Sequence, residues 1–177
     1  GMGDLVMASG IMEDIALAFP DSDIDLNTRP QWAPLFDNDE RFLKVWGSNI
    51  KALSSFVHAF KWIKKVIGNK YDLIIDLQTN DRSRIYLALL KFFQSHSVHI
   101  VGNHAIAPYT IYPKSSIKIN NPFRMMQRTI NSIGIKAQTF RPNLRVGDNA
   151  RNSALQILKK NNLAAKAYCI FVCGSNV

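Results

Sequence analysis

The sequence predicts an α/β domain with a mainly parallel sheet and helices on both faces. Three observations point there. Helix-like and strand-like patterns alternate along the whole chain of 177 residues. The strongest strand signal, residues 71–77 (YDLIIDL), is apolar almost throughout, as expected of a strand covered on both faces. The helix stop signals Phe19-Pro20, Gly68 and Gly134 each fall before a further element. Such alternation favours βαβ units, and in sheets of that kind ligands sit beyond the carboxyl ends of the strands.

The elements follow in order. Residues 4–18 place Val6, Ile11, Ile15 and Ala18 at helical spacing, and Phe19-Pro20 ends the run. A short strand is expected at 24–27. Pro30 opens a helical turn through Phe36, since proline suits a first helical position. Residues 42–46 read as a strand. Residues 50–67 read as an amphipathic helix with Leu53, Phe56, Val57, Phe60, Ile63 and Ile67 on its apolar side. After 71–77 come a helix over about 83–93 and a strand at 98–101. Pro108 and Pro113 bracket YTIY, and SSIKIN (115–120) alternates like a half-buried strand. Asn121-Pro122 opens a helix that runs to about Ile133. Residues 141–146 are extended and linker-like. Asp148 is placed to cap a helix over 149–161, and 168–173 (YCIFVC) is a last apolar strand ending in Gly174-Ser175. No internal repeat or low-complexity segment interrupts the pattern.

Composition narrows the function classes. With 47% hydrophobic and 20% charged residues, the chain is an ordinary globular domain. Its unbroken apolar runs, such as 85–90, are far short of the ~20 residues a membrane span needs. Asp4, Glu13 and Asp14 stand where a secretory signal would carry basic residues. Cys169 and Cys173 make neither a disulfide framework nor a zinc-type cluster. A reducing cytoplasmic location with no structural metal is therefore expected. Charge is unevenly placed. Residues 82–147 hold ten basic residues, among them Lys114, and no acidic one, while 1–81 hold eight basic and twelve acidic. That stretch suits an anionic partner, or else is the solvated surface of a basic protein.

Several residues are candidates for chemistry. Asp4, behind Gly3, is either a helix cap or a carboxylate at the ligand edge of the sheet. Asn80, Arg82 and Arg84 follow the strongest strand and are placed to hold an anion, arginine by paired hydrogen bonds; alternatively Asp81 caps a helix and the arginines are solvated. Arg124 and Arg128 lie one turn apart, either as a phosphate site near a helix start or as a solvated face. His104 follows a strand and is a further candidate for a ligand contact. His58, His96 and His99 lack metal-binding companions, and no dinucleotide, Walker or nucleophile-elbow motif is present. The three tryptophans do not interleave with basic residues, so nucleic acid is not the expected partner.

The opening GMGDLVMASGIMEDIALAFPDSDIDLNTRPQWAPLF resembles that of glycosyltransferase family 9, the heptosyltransferases of bacterial lipopolysaccharide assembly. YDLIIDLQTNDRSR is similar to the family's next recurrent signature. NPFRMMQRTINSIGI and RPNLRV resemble the approach to its interdomain linker. IFVCGSNV resembles the start of its second domain, with Cys173 where the family usually has proline. The likeness runs over nearly the whole chain.

The resemblance implies the first, Rossmann-like half of a GT-B fold, over 1–146, followed by a linker helix and the start of a second domain over 147–177. It implies inverting, metal-independent transfer of heptose or a related sugar from an ADP-heptose-type donor, without a cofactor. The acceptor would be an anionic lipid-linked saccharide of the lipopolysaccharide core. Asp4 would be the base; Gly3, Asn80, Arg82, Arg84, His104, Lys114, Arg124 and Arg128 would hold the acceptor; Gly174 and Ser175 would meet the donor. Peripheral contact with the inner membrane surface would follow. The family's first strand precedes the Gly-Asp pair, whereas this chain begins at Gly1, and most of the second domain is missing. The chain thus reads as a fragment without transfer activity of its own. A competing reading is a non-catalytic module for an anionic glycolipid or a partner protein. Absence of a central strand would open a slot between the strands at 24–27 and 71–77. Residues 168–173 are then expected to fill it, within one chain or by exchange in a strand-swapped dimer.

Overall fold

The structure, a computed structural model, describes residues 1–48, 56–78, 80–94, 96–115 and 117–164. It divides into two units, Gly1–Leu144 and Arg145–Val177. The first contains helices α1 (Met2–Ala18), α2 (Phe56–Asn69), α3 (Asp81–Phe93) and α4 (Pro122–Asn131), and strands β1 (Asp25–Thr28), β2 (Lys44–Gly47), β3 (Leu73–Ile75) and β4 (His99–Val101). A 3-10 turn spans Ala33–Phe36. In the second unit the described element is α5 (Asp148–Lys160), none of whose residues is buried.

Every strand pair is parallel, as the sequence predicts. β1 pairs with β2, Asp25 opposite Lys44; β3 pairs with β4, Leu73 opposite His99. Two apolar cores lie on opposite faces. One joins Ile11, Met12 and Ile15 of α1 to Met126 and Ile130 of α4, with Leu26, Val45 and Ile75 packed against it. The other joins Ile63 and Val66 of α2 to Leu87 and Leu90 of α3 and Ile100 of β4, with Trp46 and Ile74 packed against it. Successive strand residues point to opposite faces, so Ile74 and Ile75 serve different cores. Helices on both faces of parallel strands make the three-layer, Rossmann-like arrangement.

Among the described residues the strands form two separate two-stranded ladders, and β1 does not pair with β3. This explains one departure from expectation. The apolar run 71–77 contains only a three-residue strand, and all three residues are half-buried rather than covered. Their neighbour on the β1 side is a cleft.

Other departures have local causes. SSIKIN forms no strand at its described positions; the Ile117 carbonyl instead accepts from Arg128 Nη1 at 2.6 Å. The place beside β4 goes to residues 110–111: Thr110 N–H donates to the Ile100 carbonyl at 2.8 Å, and Gly102 N–H to that of Ile111 at 3.1 Å. Asn80, not Asp81, caps α3, its Oδ1 accepting from Ser83 N–H at 2.9 Å. Asp148 lies in the first turn of α5, whose cap is Gly147. Asp4 likewise lies inside α1, which starts from Gly1. The strand expected at 168–173 lies outside the described residues.

The chain returns across α1 after α4. The Asp14 carboxylate accepts from the Gln138 and Thr139 N–H groups and, at 2.7 Å, from the Thr139 hydroxyl. Gly10 makes room for this return, since a Cβ there would stand 2.5 Å from the Arg141 carbonyl oxygen. Arg41 ties the layers together. It forms ion pairs with Asp39 at 2.5 Å and Glu13 at 3.1 Å, and donates to the Ser9 and Asn143 carbonyls. Burial pulls the Arg41 pKa down, but Asp39 and Glu13 outweigh it and hold the guanidinium above its ordinary value.

Candidate functional site

A cleft of about 310 Å³ lies between β1 and β3. Parallel strands all end at one edge, and the helices that follow them begin there. The cleft's rim at that edge takes Asp4 from the first turn of α1, Arg29 from just after β1, Gln78 and Asn80 from the turn after β3, and Arg82 from the first turn of α3. Its opposite end reaches Asp25 and Tyr71. A carboxylate and two guanidinium groups therefore share one opening, where the fold class places ligands. Arg29 and Arg82 form no ion pair among the described residues.

The turn after β3 is organised by Asp76, which is buried. Its Oδ2 accepts from the Ser83 hydroxyl and the Tyr109 phenol, each at 2.7 Å, and its Oδ1 accepts from Gln78 N–H at 3.0 Å. Burial, then the charge of Asp76 and its hydrogen bond, push the Tyr109 phenol well above its ordinary pKa, so it stays a donor. At the far end Tyr71 donates to Asp25 Oδ2 at 2.5 Å, and burial followed by that bond raises its pKa in the same way. The two tyrosines thus hold carboxylates at opposite ends of the cleft.

Of the residues singled out in the sequence, Asp4, Asn80 and Arg82 line this cleft. Asp4 is half exposed, and its Oδ2 accepts from the Gly1 amino group at 2.5 Å. Arg84 turns back to Asp81 at 3.0 Å and does not line it. Gly3, His104, Lys114 and Arg124 are exposed and away from the lining. Arg128 is used internally, Nε donating to Asn103 Oδ1 at 2.9 Å and Nη1 to the Ile117 carbonyl. Gly174 and Ser175 lie outside the described residues. Two residues of the site were missed. Arg29 follows a parallel strand just as Arg82 does, and that rule would have found it. Asp76 gave no signal beyond its position at a strand end.

The chain superimposes on the crystal structure of the glycosyl transferase family 9 from Veillonella parvula DSM 2008 with a TM-score of 0.75, at 15% sequence identity. The fold is similar to that of a family 9 glycosyltransferase. The match covers 93% of this chain and 48% of that one, so the chain spans about half the length of that protein. No family model matches the sequence, and neither does any curated protein. Among the described residues, no helix is long and apolar enough to cross a membrane. Nor does any group of three or more His, Cys, Asp or Glu among them stand where it could hold a metal ion.

Proposed function

We propose that this chain is the acceptor-binding half of a glycosyltransferase that passes heptose or a related sugar from a nucleotide-sugar donor to an anionic lipopolysaccharide-core acceptor. The observation that carries the reading is that Asp4, Arg29 and Arg82 line one cleft, at the carboxyl edge of a fold similar to a family 9 enzyme. The arginines would hold phosphate or sugar-acid groups of the acceptor by paired hydrogen bonds. The Asp4 carboxylate would take the proton of the acceptor hydroxyl as its oxygen bonds to the anomeric carbon. The bond from that carbon to the nucleotide diphosphate breaks, the diphosphate leaves with the electron pair, and configuration inverts. In this reading the donor is a substrate and the step uses no metal or cofactor. The place of action would be the cytoplasmic side of the inner membrane, where a lipid-linked acceptor is held.

Titration calorimetry with a phosphorylated core oligosaccharide, and separately with ADP-heptose, tests this. The oligosaccharide should bind, and Arg82→Ala should weaken it about tenfold, or ~1.4 kcal/mol. Binding of ADP-heptose without the oligosaccharide, or equal affinity of the variant, would overturn the reading.

A further inference from the structure

The layer formed by α2 and α3 turns apolar side chains outward. On α3, Ser83, Tyr86, Leu87 and Leu90 are buried. Helical spacing puts Ile85, Leu89 and Phe92, at i, i+4 and i+7, on the opposite side. All three are exposed, Phe92 by 82%, and the exposed Phe93 ring stands edge-on to it at 5.2 Å between centroids. On α2, Ile63 and Val66 enter the core, whereas Val57 and Phe60 are each 60% exposed. The two helices share one core, so both sets of exposed residues belong to one layer. Exposed apolar surface gathered in this way marks a place of interaction with a protein or a membrane.

Charge decides between the two. Lys61 and Lys64 are exposed on α2 beside Phe60, and Lys91 is exposed next to Phe92. Residues 56–70 carry four lysines and no acidic residue. On α3 the one carboxylate, Asp81, pairs with Arg84 at 3.0 Å, and no acidic residue follows it through residue 147. A second copy of this chain, docked by a two-fold contact, would set lysines against lysines. An anionic bilayer answers both features. Apolar rings enter the boundary between headgroups and acyl chains, while lysine stems lie along the apolar surface and bring their ammonium groups to the lipid phosphates.

We propose that the outer face of α2 and α3 docks on an anionic lipid surface, with Phe60, Leu89 and Phe92 entering it and Lys61, Lys64 and Lys91 on the headgroups. Lipid is the only ligand this face requires, so the proposal does not depend on the acceptor-binding reading.

Flotation of the full chain with vesicles of phosphatidylcholine and phosphatidylglycerol in equal parts, and separately of phosphatidylcholine alone, tests it. The chain should float with the mixed vesicles and far less with the neutral ones. Phe60→Ser with Phe92→Ser should lower partitioning about tenfold, and Lys61→Glu with Lys64→Glu by a similar factor. All four side chains are exposed, so circular dichroism and the melting midpoint should stay parental. Leu17→Ser, at a residue 70% exposed on α1, is the control and should float as the parent does. Failure of the parent to float with the mixed vesicles would overturn the proposal. So would parental flotation of either double variant, or an equal loss in the Leu17 control. A dimer in sedimentation that the two phenylalanine substitutions disperse would make the face a protein interface and overturn it as well.

Discussion

The Ser9 hydroxyl accepts a hydrogen bond from the backbone N–H of Asn143 at 2.8 Å, across 134 residues of sequence. The same Ser9 hydroxyl donates to the Val6 carbonyl at 2.6 Å. One small side chain thus joins the first helix to the end of the first unit. Around it Asp14, Gly10 and Arg41 fasten the returning segment to α1, the helix that carries Asp4 to the rim.

Gly10→Ala should destabilise the protein by about 1–3 kcal/mol, because the new Cβ meets a backbone oxygen that cannot swing aside. The Arg141 carbonyl is 2.5 Å from that position. Thermal melting should register a lower midpoint. Gly3→Ala, where nothing lies within 4 Å of the added Cβ, is the control and should not lower it.

Asp14→Ala removes the acceptor for the Gln138 and Thr139 N–H groups from a residue only 4% exposed. Leaving buried donors unpaired costs ~1–3 kcal/mol each. Denaturant unfolding should show the loss, and hydrogen exchange should locate it at residues 138–139.

Arg41→Ala leaves Asp39 and Glu13 facing a buried space. Breaking a buried ion pair in this way costs ~3–5 kcal/mol. The Arg41 side chain is 2% exposed and that of Asp39 is fully buried, so solvent screens little of it. The midpoint of urea unfolding should fall accordingly.

Stability should decline above about pH 10. The ordinary tyrosine value is 10.0, and Tyr71 and Tyr109 are both raised above it when folded. Below pH 10 both forms are neutral and the contribution is complete. Above it the unfolded chain releases these protons first, so stability falls as pH rises toward the folded values. Tyr71→Phe with Tyr109→Phe should flatten the alkaline limb of a stability–pH curve measured by urea unfolding.

Arg82→Ala and Arg84→Ala should differ in anion binding. Arg82 lines the cleft, whereas Arg84 is held by Asp81 at 3.0 Å. Calorimetry with a phosphorylated core oligosaccharide should show weakened binding for the first and parental affinity for the second.

Much of the fold was legible because helix and strand leave local periodicities. The apolar spacing in 56–67, the stop at Gly134 and the run LII in 73–75 each report burial without knowledge of the partner. The part of the site at Asp4 and Arg82 was legible for a related reason. Parallel strands and the helices that follow them share one edge, so position after a strand predicts position at the rim. The same rule says nothing about competition among neighbours. Arg84, two residues from Arg82, goes to Asp81, and Arg128 goes to Asn103 and Ile117, choices made by geometry that periodicity does not encode.

By itself the sequence determined the alternation of elements, the parallel arrangement and the edge on which Asp4 and Arg82 stand, because these follow from patterns a few residues long. Tertiary structure decided the rest. The lining of one cleft by Arg29 and Asp4, the cleft between β1 and β3, and the grip of Asp14, Ser9 and Arg41 on residues 138–143 join segments far apart in the chain. Which buried donor finds which acceptor depends on how the layers pack, and only the packed layers determine it.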